Sequence, residues 1–534
     1  MAEADTNRET ELKLAVRAED FAALRSSRAV TSRAREAGSR KLLESTYFDS
    51  DDLRLSRRGV TVRVRKAGDR HLLTVKTAPE ADGLGRGEWE YPLPGSGLDL
   101  SVIADGEAQA LLGAVGAGDL KPVFTTVVER EAVEVTVGEG DAASRIEIAF
   151  DSGDIRLPDG RSVPVSEVEL ELLAGSAAAL YRLAQELAEA APVRLEARTK
   201  AARGFALAAG QGDMVVKADK LALEPETTVE GALARIVHSC LNHLVANEAV
   251  SVAGEDPEGI HQMRVALRRL RSAIALFRPF VPTDQYLWLV GEIKWLAGNL
   301  GPARDWDVFL TELLAPVRDA FRQANGHGRS AVADIEALAA AAEARRQQAY
   351  ETAREAIRSP RYTGFLLGLG AWVERRGWRD QPVSENAIRL FGPVTDLADH
   401  LLDKRHKKAR RAGHGFEELS VNDRHQLRIA LKKLRYATEF FRSLYDEKPA
   451  KRYIQQLSAF QDALGHLNDV ATATRLLHDL HADGSRSAPG EPRAAGLVIG
   501  WHARGVVDAE ASLVGLWHDF LETKRFWSKR EAVG

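Results

Sequence analysis

The chain has 534 residues, of which 45% are hydrophobic and 28% are charged, and its net charge is −4 at pH 7. This length suggests two to four domains, and the composition is that of an ordinary soluble globular protein. The single cysteine, Cys240, excludes intrachain disulfides and any zinc site built from several cysteines.

Targeting and membrane signals are not expected. The chain opens without a basic and then apolar leader, and no apolar run approaches the roughly 20 residues of a membrane helix. The longest candidate, residues 365–373, is too short and is interrupted by glycines. With one cysteine and no such segment, the sequence predicts a cytoplasmic protein with no membrane partner.

The first predicted element is a strand at residues 9–13. Alternate side chains of a strand share a face, so Glu9-Thr-Glu11-Leu-Lys13 places three charges on one side. Such a face is expected to line a wet, charged cavity in a closed sheet. Two carboxylates at this spacing can hold a hard divalent cation, and a lysine beside them can bind a phosphate oxygen. Alone, the pattern is more typical of a solvated face, but charged alternation recurs along the chain up to residue 205.

The remaining elements divide the chain into two classes. Period-two strands are predicted at 60–66, 71–77, 123–137, 145–151 and 163–173, with short helices at 18–26, 104–115 and 175–190. From about residue 225 a helical period of 3.6 dominates, and a Gly-, Ser- and Pro-rich loop is predicted at 483–492. The sequence therefore predicts a multidomain chain: an α+β domain at 1–208, a linker at 209–224 and an all-α domain at 225–525.

The charged faces of the strands separate into two sets. The carboxylate set comprises Glu9, Glu11, Glu169 and Glu171, and the cationic set comprises Lys13, Arg63, Arg65, Lys76, Arg130 and Lys200. An antiparallel sheet open to water on one side would also alternate, but with mixed polar residues on its wet face. The segregation favours two sets that face each other inside a closed lumen.

These two sets suit one kind of ligand. A linear triphosphate is a chain of anionic oxygens, which Arg and Lys neutralise, Arg bidentately. Carboxylates cannot hold phosphate, so we expect them to hold Mg²⁺ or Mn²⁺, which bridges to phosphate oxygens.

The ordered set of motifs resembles the CYTH superfamily of triphosphate tunnel metalloenzymes over residues 5–205. It comprises Glu9-x-Glu11-x-Lys13, Tyr47-Phe48-Asp49, Val62-Arg63-Val64-Arg65, Lys76, Glu129-Arg130, Asp151 and Glu167-x-Glu169-x-Glu171. The resemblance implies a closed antiparallel barrel with a charged tunnel, in a family that includes inorganic and thiamine triphosphatases and class IV adenylyl cyclases.

The resemblance also implies roles for individual residues. The implied metal ligands are Glu9, Glu11, Asp151, Glu169 and Glu171, the last two being favoured over Glu167. The implied triphosphate ligands are Lys13, Arg63, Arg65, Lys76, Arg130 and Lys200, with Arg203 able to share or replace the role of Lys200. Glu9, Glu11 and Lys13 are the implied catalytic residues.

The helical half contains an internal repeat. His261-Gln-Met-Arg264-Val-Ala-Leu-Arg268-Arg269-Leu-Arg271 is copied as His425-Gln-Leu-Arg428-Ile-Ala-Leu-Lys432-Lys433-Leu-Arg435, 164 residues later. Leu300-Gly301 with Asp305 and Leu464-Gly465 with Asp469 keep the same offset. The sequence therefore predicts a duplicated helical bundle, with repeats at about 225–390 and 391–525.

Each repeated helix carries a basic stripe. The stripe residues are His261, Arg264, Arg268 and Arg271 in the first copy, and His425, Arg428, Lys432 and Arg435, with Lys433 beside them, in the second. Like charges stacked in this way are destabilising unless an anion lies on them, although a solvated basic face is the simpler alternative. Only Tyr436 interrupts the stripes, so a phosphate ligand without bases is favoured over nucleic acid. The surrounding cations make the histidines poor metal ligands.

This half resembles the CHAD domain over residues 225–520. The resemblance is carried by the two His-Gln-x-Arg helices, by Leu-Gly-x-x-x-Asp and Leu-Gly-x-Leu-Asn468-Asp469, interpreted as turns, and by Gly500-Trp501-His502. It implies a helical bundle that binds inorganic polyphosphate, in a family with members associated with polyphosphate granules.

Together the two halves predict a metal-dependent inorganic triphosphatase joined to a polyphosphate-binding module. Two alternatives stay open. One keeps the tunnel but makes cyclic AMP from ATP, as a class IV adenylyl cyclase; the other is a non-catalytic scaffold on polyphosphate granules. The row of carboxylates argues against the scaffold, because a mere binder of polyanions does not need it.

Overall fold

A computed structural model describes residues 7–35, 38–78, 84–323, 329–482 and 490–527. It divides into two compact units, Met1–Val216 with Arg358–Gly377, and Lys217–Ile357 with Trp378–Gly534. Most of the loop predicted at 483–492, and the side chain of Asn468, lie outside the described residues.

The first unit is built on one antiparallel sheet. Its strands in the described residues are β1 (Arg8–Ala15), β2 (Ser39–Asp49), β3 (Val60–Ala67), β4 (Arg70–Thr77), β5 (Gly85–Leu93), β6 (Lys121–Val137), β7 (Ser144–Arg156), β8 (Ser162–Ala174) and β9 (Arg194–Leu195). The strand order is β5-β4-β3-β2-β6-β7-β8-β1-β9, and β5 also pairs with β1. This last pairing closes eight strands into a barrel, which confirms the predicted closed antiparallel fold.

The barrel turns its apolar faces outward. Leu12, Leu14, Val168 and Leu170 are almost completely buried in a core with the helix at Ala178–Ala190. Because side chains alternate along a strand, the intervening charged residues point into the barrel. The lumen is therefore lined by polar side chains, and the hydrophobic core lies between the barrel and its helices.

Helices α1 to α6 lie between or after these strands, and they are numbered in chain order. They are α1 (Phe21–Ser26), α2 (Arg28–Thr31), α3 (Arg54–Arg57), α4 (Gly106–Leu112), α5 (Ala178–Ala190) and α6 (Lys200–Ala208). Thr199 caps α6 by accepting a hydrogen bond from Ala202 N at 3.1 Å, so Lys200 sits in the first turn.

The remaining helices belong to the rest of the chain. They are α7 (Val229–Ala246), α8 (Glu248–Ala253), α9 (Pro257–Leu276), α10 (Thr283–Val308), α11 (Ala315–Gln323), α12 (Arg329–Arg358), α13 (Pro360–Glu374), α14 (Glu385–Arg389), α15 (Val394–Ala412), α16 (Val421–Phe441), α17 (Glu447–Ala482) and α18 (Glu491–Glu522). A π-helical segment, Phe309–Leu314, joins α10 to α11. No helix in the described ranges combines the length and apolar character that crossing a membrane requires.

The second unit shows the duplication in its helices. α7, α9, α10 and α12 recur as α15, α16, α17 and α18 at nearly constant offset; for example, α9 starts at Pro257 and α16 at Val421. This confirms the predicted duplicated helical bundle.

The two Leu-Gly motifs are helical, so their interpretation as turns is wrong. Leu300-Gly301 lies inside α10 and Leu464-Gly465 inside α17. A Cβ at Gly301 would lie 2.9 Å from Nη1 of Arg264, so the glycine lets this arginine lie against the α10 backbone.

Helix α13 lies between the two helical repeats in sequence, but it belongs to the barrel unit. There it packs on α5. Ser359 caps it and Pro360 occupies its first turn, both common starts of a helix.

Candidate active site in the barrel and a cationic surface on the helices

The lumen of the barrel is a cavity of about 1050 Å³. The predicted site residues that line it are Glu9, Glu11, Lys13, Arg63, Arg65, Lys76, Arg130, Asp151, Glu169, Glu171 and Lys200. The first residues of α6 form part of its wall. Arg203 is not among the lining residues; it pairs with Glu167 at 3.2 Å.

The ammonium group of Lys200 lies among three carboxylates. Its Nζ lies 2.6 Å from Asp151, 2.6 Å from Glu167 and 3.0 Å from Glu169. Burial alone would lower the pKa of Lys200, but the three carboxylates raise it above its ordinary value. Oxygens of these three residues lie within 4.8 Å of one another, as in a metal site. The ammonium group already supplies the cation there.

The glutamates of β1 are held by cations of neighbouring strands. Nε of Arg86 and Nζ of Lys76 lie 2.6 Å and 2.8 Å from Glu9. Burial would raise the pKa of Glu9, but these two charges outweigh it and hold the pKa well below the ordinary range. Glu11 pairs with Lys13 at 2.6 Å and also with Arg86.

Negative charge is in excess at Glu171. This residue is the cross-strand partner of both Glu11 and Glu147, and no cation within the described part of the chain forms an ion pair with it. Burial, Glu9 and Glu147 raise its pKa from 4.5 to about 7. Glu171 and its two cross-strand partners therefore form a second group of lumen carboxylates besides Asp151, Glu167 and Glu169, and carboxylate oxygens are ligands that a hard divalent cation prefers.

Positive charge is in excess at Arg65. Its Nε is 3.4 Å from Oγ of Ser45, and no carboxylate among the described residues lies within ion-pair distance of it. Burial, followed by Arg63 and Arg130, lowers its pKa to about 10. Arg63 lies 3.6 Å from Glu88 and 3.9 Å from Glu90, and its Nη1 donates to the hydroxyl of Tyr47 at 3.5 Å. These two guanidinium groups therefore suit an anion.

The sequence prediction missed strands β2 and β5, and with them lumen residues on both strands as well as one on β7. Arg86, Glu88 and Glu90 line the cavity from β5, which was not predicted. Their period-two spacing repeats that of Glu9, Glu11 and Lys13, and so could have revealed them. Glu147 also lines the cavity, on the face of β7 shared with Asp151.

The two basic stripes of the helical unit meet. Nε of Arg268 on α9 donates to the hydroxyl of Tyr436 on α16 at 3.2 Å. Burial, then Arg428 of its own stripe and Arg268 of the other, lower the pKa of Lys432 to about 7. The stripes therefore act as one cationic surface.

The surface is only partly neutralised. Burial lowers the pKa values of Arg264 and Arg428, and the opposing acidic charges are Asp305 and Asp469, one from each repeated Leu-Gly motif. Burial and the charge of Arg304 lower the pKa of His261 to about 4, so its imidazole is neutral at pH 7.

One residue of the predicted binding set, Lys433, lies beside this surface rather than on it. After burial, the charges that lower the pKa of Lys433 are those of Arg405, Lys408 and Arg271. A one-residue step rotates Lys433 by about 100° from Lys432 around the helix, which accounts for the separation. Lys433 therefore lies near the basic residues of α15.

Comparison with known families finds a different domain family in each half of the chain. Residues 7–205 match the CYTH domain and residues 235–478 match the CHAD domain. The crystal structure of the CHAD domain from the plant Ricinus communis is 31% identical, with a TM-score of 0.50, and the match covers 59% of this chain and 99% of that one.

Two curated relatives match shorter parts of the chain. An uncharacterized protein of Mycobacterium tuberculosis is 29% identical over 235 residues, which is 42% of this chain and 41% of the relative. An inorganic triphosphatase of Haemophilus influenzae is 27% identical over 173 residues, which is 32% of this chain and 47% of the relative. The chain thus spans less than half the length of these relatives.

Proposed function

Because this chain belongs to the CYTH and CHAD domain families, we propose that it is a metal-dependent inorganic triphosphatase whose helical unit binds inorganic polyphosphate. The observation that carries the catalytic part is the separation of charge in the lumen. Within the described residues, Glu171 forms no ion pair with a cation and Arg65 forms none with a carboxylate, and burial with like charges shifts the pKa values of both. A complex of a divalent cation with triphosphate would neutralise both at once. The related Haemophilus influenzae triphosphatase supports the same substrate.

Five residues of the lumen have roles in this proposal. Arg63 and Arg65 would bind phosphate oxygens bidentately. Glu9, Glu11 and Glu171 would hold Mg²⁺ or Mn²⁺. When bound, the divalent cation would act as a Lewis acid on the phosphoryl oxygens. Charge spreads over these oxygens during phosphoryl transfer, so cations fixed beforehand stabilise the transition state.

Phosphate release tests the reaction. Purified protein would be supplied with inorganic triphosphate, ATP or long-chain polyphosphate, together with Mg²⁺, Mn²⁺ or EDTA. We expect metal-dependent release from triphosphate and a loss of about 100-fold or more in Glu9→Gln. Glu129→Gln makes the same change at an exposed position of the barrel and should retain full activity.

Two results would contradict the proposed triphosphatase activity. Cyclic AMP formed from ATP would identify a class IV adenylyl cyclase. No turnover of any substrate, with polyphosphate binding intact, would identify a scaffold, which could reside on polyphosphate granules.

The polyphosphate part rests on the joined, incompletely neutralised cationic surface of α9 and α16. Reversing two of its charges, in Arg264→Glu with Arg428→Glu, should abolish retention of the full chain on immobilised polyphosphate. The matched control reverses Lys451 and Arg452, which are exposed at the start of α17. Retention that survives the first pair, or fails equally with the second, would exclude this surface as the binding site.

A further inference from the structure

Helix α13 completes the hydrophobic core of the barrel unit. Leu367 is fully buried in the core formed by β1, β7, β8 and α5. Gly370 faces Tyr181 of α5 so closely that an added Cβ would lie 2.1 Å from Cε1 of the ring. Tyr181 itself is 2% exposed. The two helices thus meet without a gap, although α13 lies within the segment that matches the CHAD family.

A hydrogen bond connects α13 to the chain that enters the site. Oγ1 of Thr363 donates to the carbonyl oxygen of Val193 at 3.1 Å, and both residues are buried. Val193 immediately precedes β9, which pairs with Leu14 and Ala15 of β1. A buried carbonyl that loses its donor carries a substantial penalty, so this contact fixes the start of β9.

From β9 the chain runs directly to Lys200. The amide of Glu196 donates to the carbonyl of Lys13 at 3.0 Å. Residues 197–202 then line the cavity, and Nζ of Lys200 reaches Asp151, Glu167 and Glu169. Only six residues therefore lie between Val193, where α13 is anchored, and Lys200.

We propose that α13 is a positioning element of the barrel site: through Thr363 and Gly370 it fixes residues 193–200 and so places Lys200 in the lumen. The segment that matches the CHAD family thus supplies a helix that positions a residue of the CYTH-type barrel site. This role of α13 does not depend on which reaction the barrel catalyses.

Hydrogen exchange on the full chain tests this placement. The variant Gly370→Leu drives a side chain into Tyr181. Gly364→Leu is the matched control, because it puts the same side chain on the same helix at a position with no atom within 4 Å. We expect exchange at residues 194–202 to become about tenfold faster in Gly370→Leu and to stay unchanged in Gly364→Leu. Faster exchange confined to α13 and α5 would overturn the proposal.

A milder variant covers the case in which Gly370→Leu unfolds the unit. Thr363→Val removes only the hydroxyl donor, and the exchange of the Glu196 amide should rise by about tenfold. An unchanged rate at Glu196 in this variant would overturn the proposal.

Binding of inorganic triphosphate to the full chain, measured by calorimetry, separates positioning from general destabilisation. If α13 acts through Lys200, Gly370→Leu should weaken binding in the wild-type background and have little further effect in Lys200→Met. Additive losses would overturn the proposal. Wild-type protein that does not bind triphosphate would contradict the proposed function, and the exchange measurements would still decide the role of α13.

Discussion

Arg86 and Glu9 are cross-strand partners at the seam that closes the barrel, and Nε of Arg86 lies 2.6 Å from Oε2 of Glu9. The same guanidinium also pairs with Glu11. Arg86 therefore forms ion pairs with both of the β1 carboxylates to which a divalent cation would bind.

Arg86 is expected to compete with the metal. A divalent cation between Glu9 and Glu11 must replace charge-assisted hydrogen bonds to this guanidinium, which are roughly twice as strong as neutral ones. We expect Arg86→Gln to bind Mn²⁺ about tenfold more tightly than the wild type, measured by electron paramagnetic resonance without substrate. Weaker binding would mean that Arg86 orients the two carboxylates for the metal instead.

Lys200 is expected to stabilise the barrel strongly. Lys200→Met keeps the volume but leaves Asp151, Glu167 and Glu169 buried without this cation, a change that typically costs about 3 to 5 kcal/mol. Urea denaturation would measure the loss. Without the lysine the pKa values of these carboxyls rise, so the loss should be largest near pH 8 and shrink as they protonate towards pH 5. Lys66→Met, at an exposed position of β3, should change stability little.

Glu171 is expected to make metal-free protein less stable at high pH. Its pKa rises on folding from 4.5 to about 7. Its contribution to stability is therefore fully present below pH 4.5 and is lost as the pH rises through 7, by about 3 kcal/mol at roughly 1.4 kcal/mol per pKa unit.

The variant Glu171→Gln removes this titration. In thermal denaturation with EDTA at pH 8 it should melt at a higher temperature than the wild type, whereas Mg²⁺ should stabilise only the wild type. Equal stabilisation of both proteins by Mg²⁺ would exclude Glu171 as a ligand.

Lys432 is expected to make polyphosphate binding depend on pH. Burial and its arginine neighbours lower its pKa to about 7, and a bound polyanion would raise it again. Affinity should therefore fall by up to about tenfold between pH 6 and pH 8. In Lys432→Arg the side chain stays charged, so its affinity should change much less over this range. Parallel curves for the two proteins, measured by calorimetry, would show that another group titrates.

Period-two charge alternation was enough to predict a closed sheet and most of its lumen, because the alternation recurs along the chain up to residue 205 and the charges separate into a carboxylate set and a cationic set. β5 escaped prediction because Gly85, Gly87 and Pro92 are turn residues in isolation. Pairing with β4 on one side and β1 on the other overrides that preference.

Sequence could not assign α13 to a unit. Its buried residues include Phe365, Leu369 and Trp372, and no polar face marks the side that meets solvent. A helix that is apolar on most sides can pack against many partners. The close approach of Gly370 to Tyr181 depends on tertiary structure, and 189 residues separate the two in sequence.

The route of the chain through α13 limits how this protein can be divided. The chain passes between the units at three places: after Val216, after Ile357 and after Gly377. A protease that cuts only the linker at 209–224 should leave two fragments that still co-purify, because the second fragment retains the helix seated on α5. Cutting the chain at the linker therefore does not separate two complete domains. A barrel expressed without α13 would expose an apolar groove, which would make it prone to aggregation.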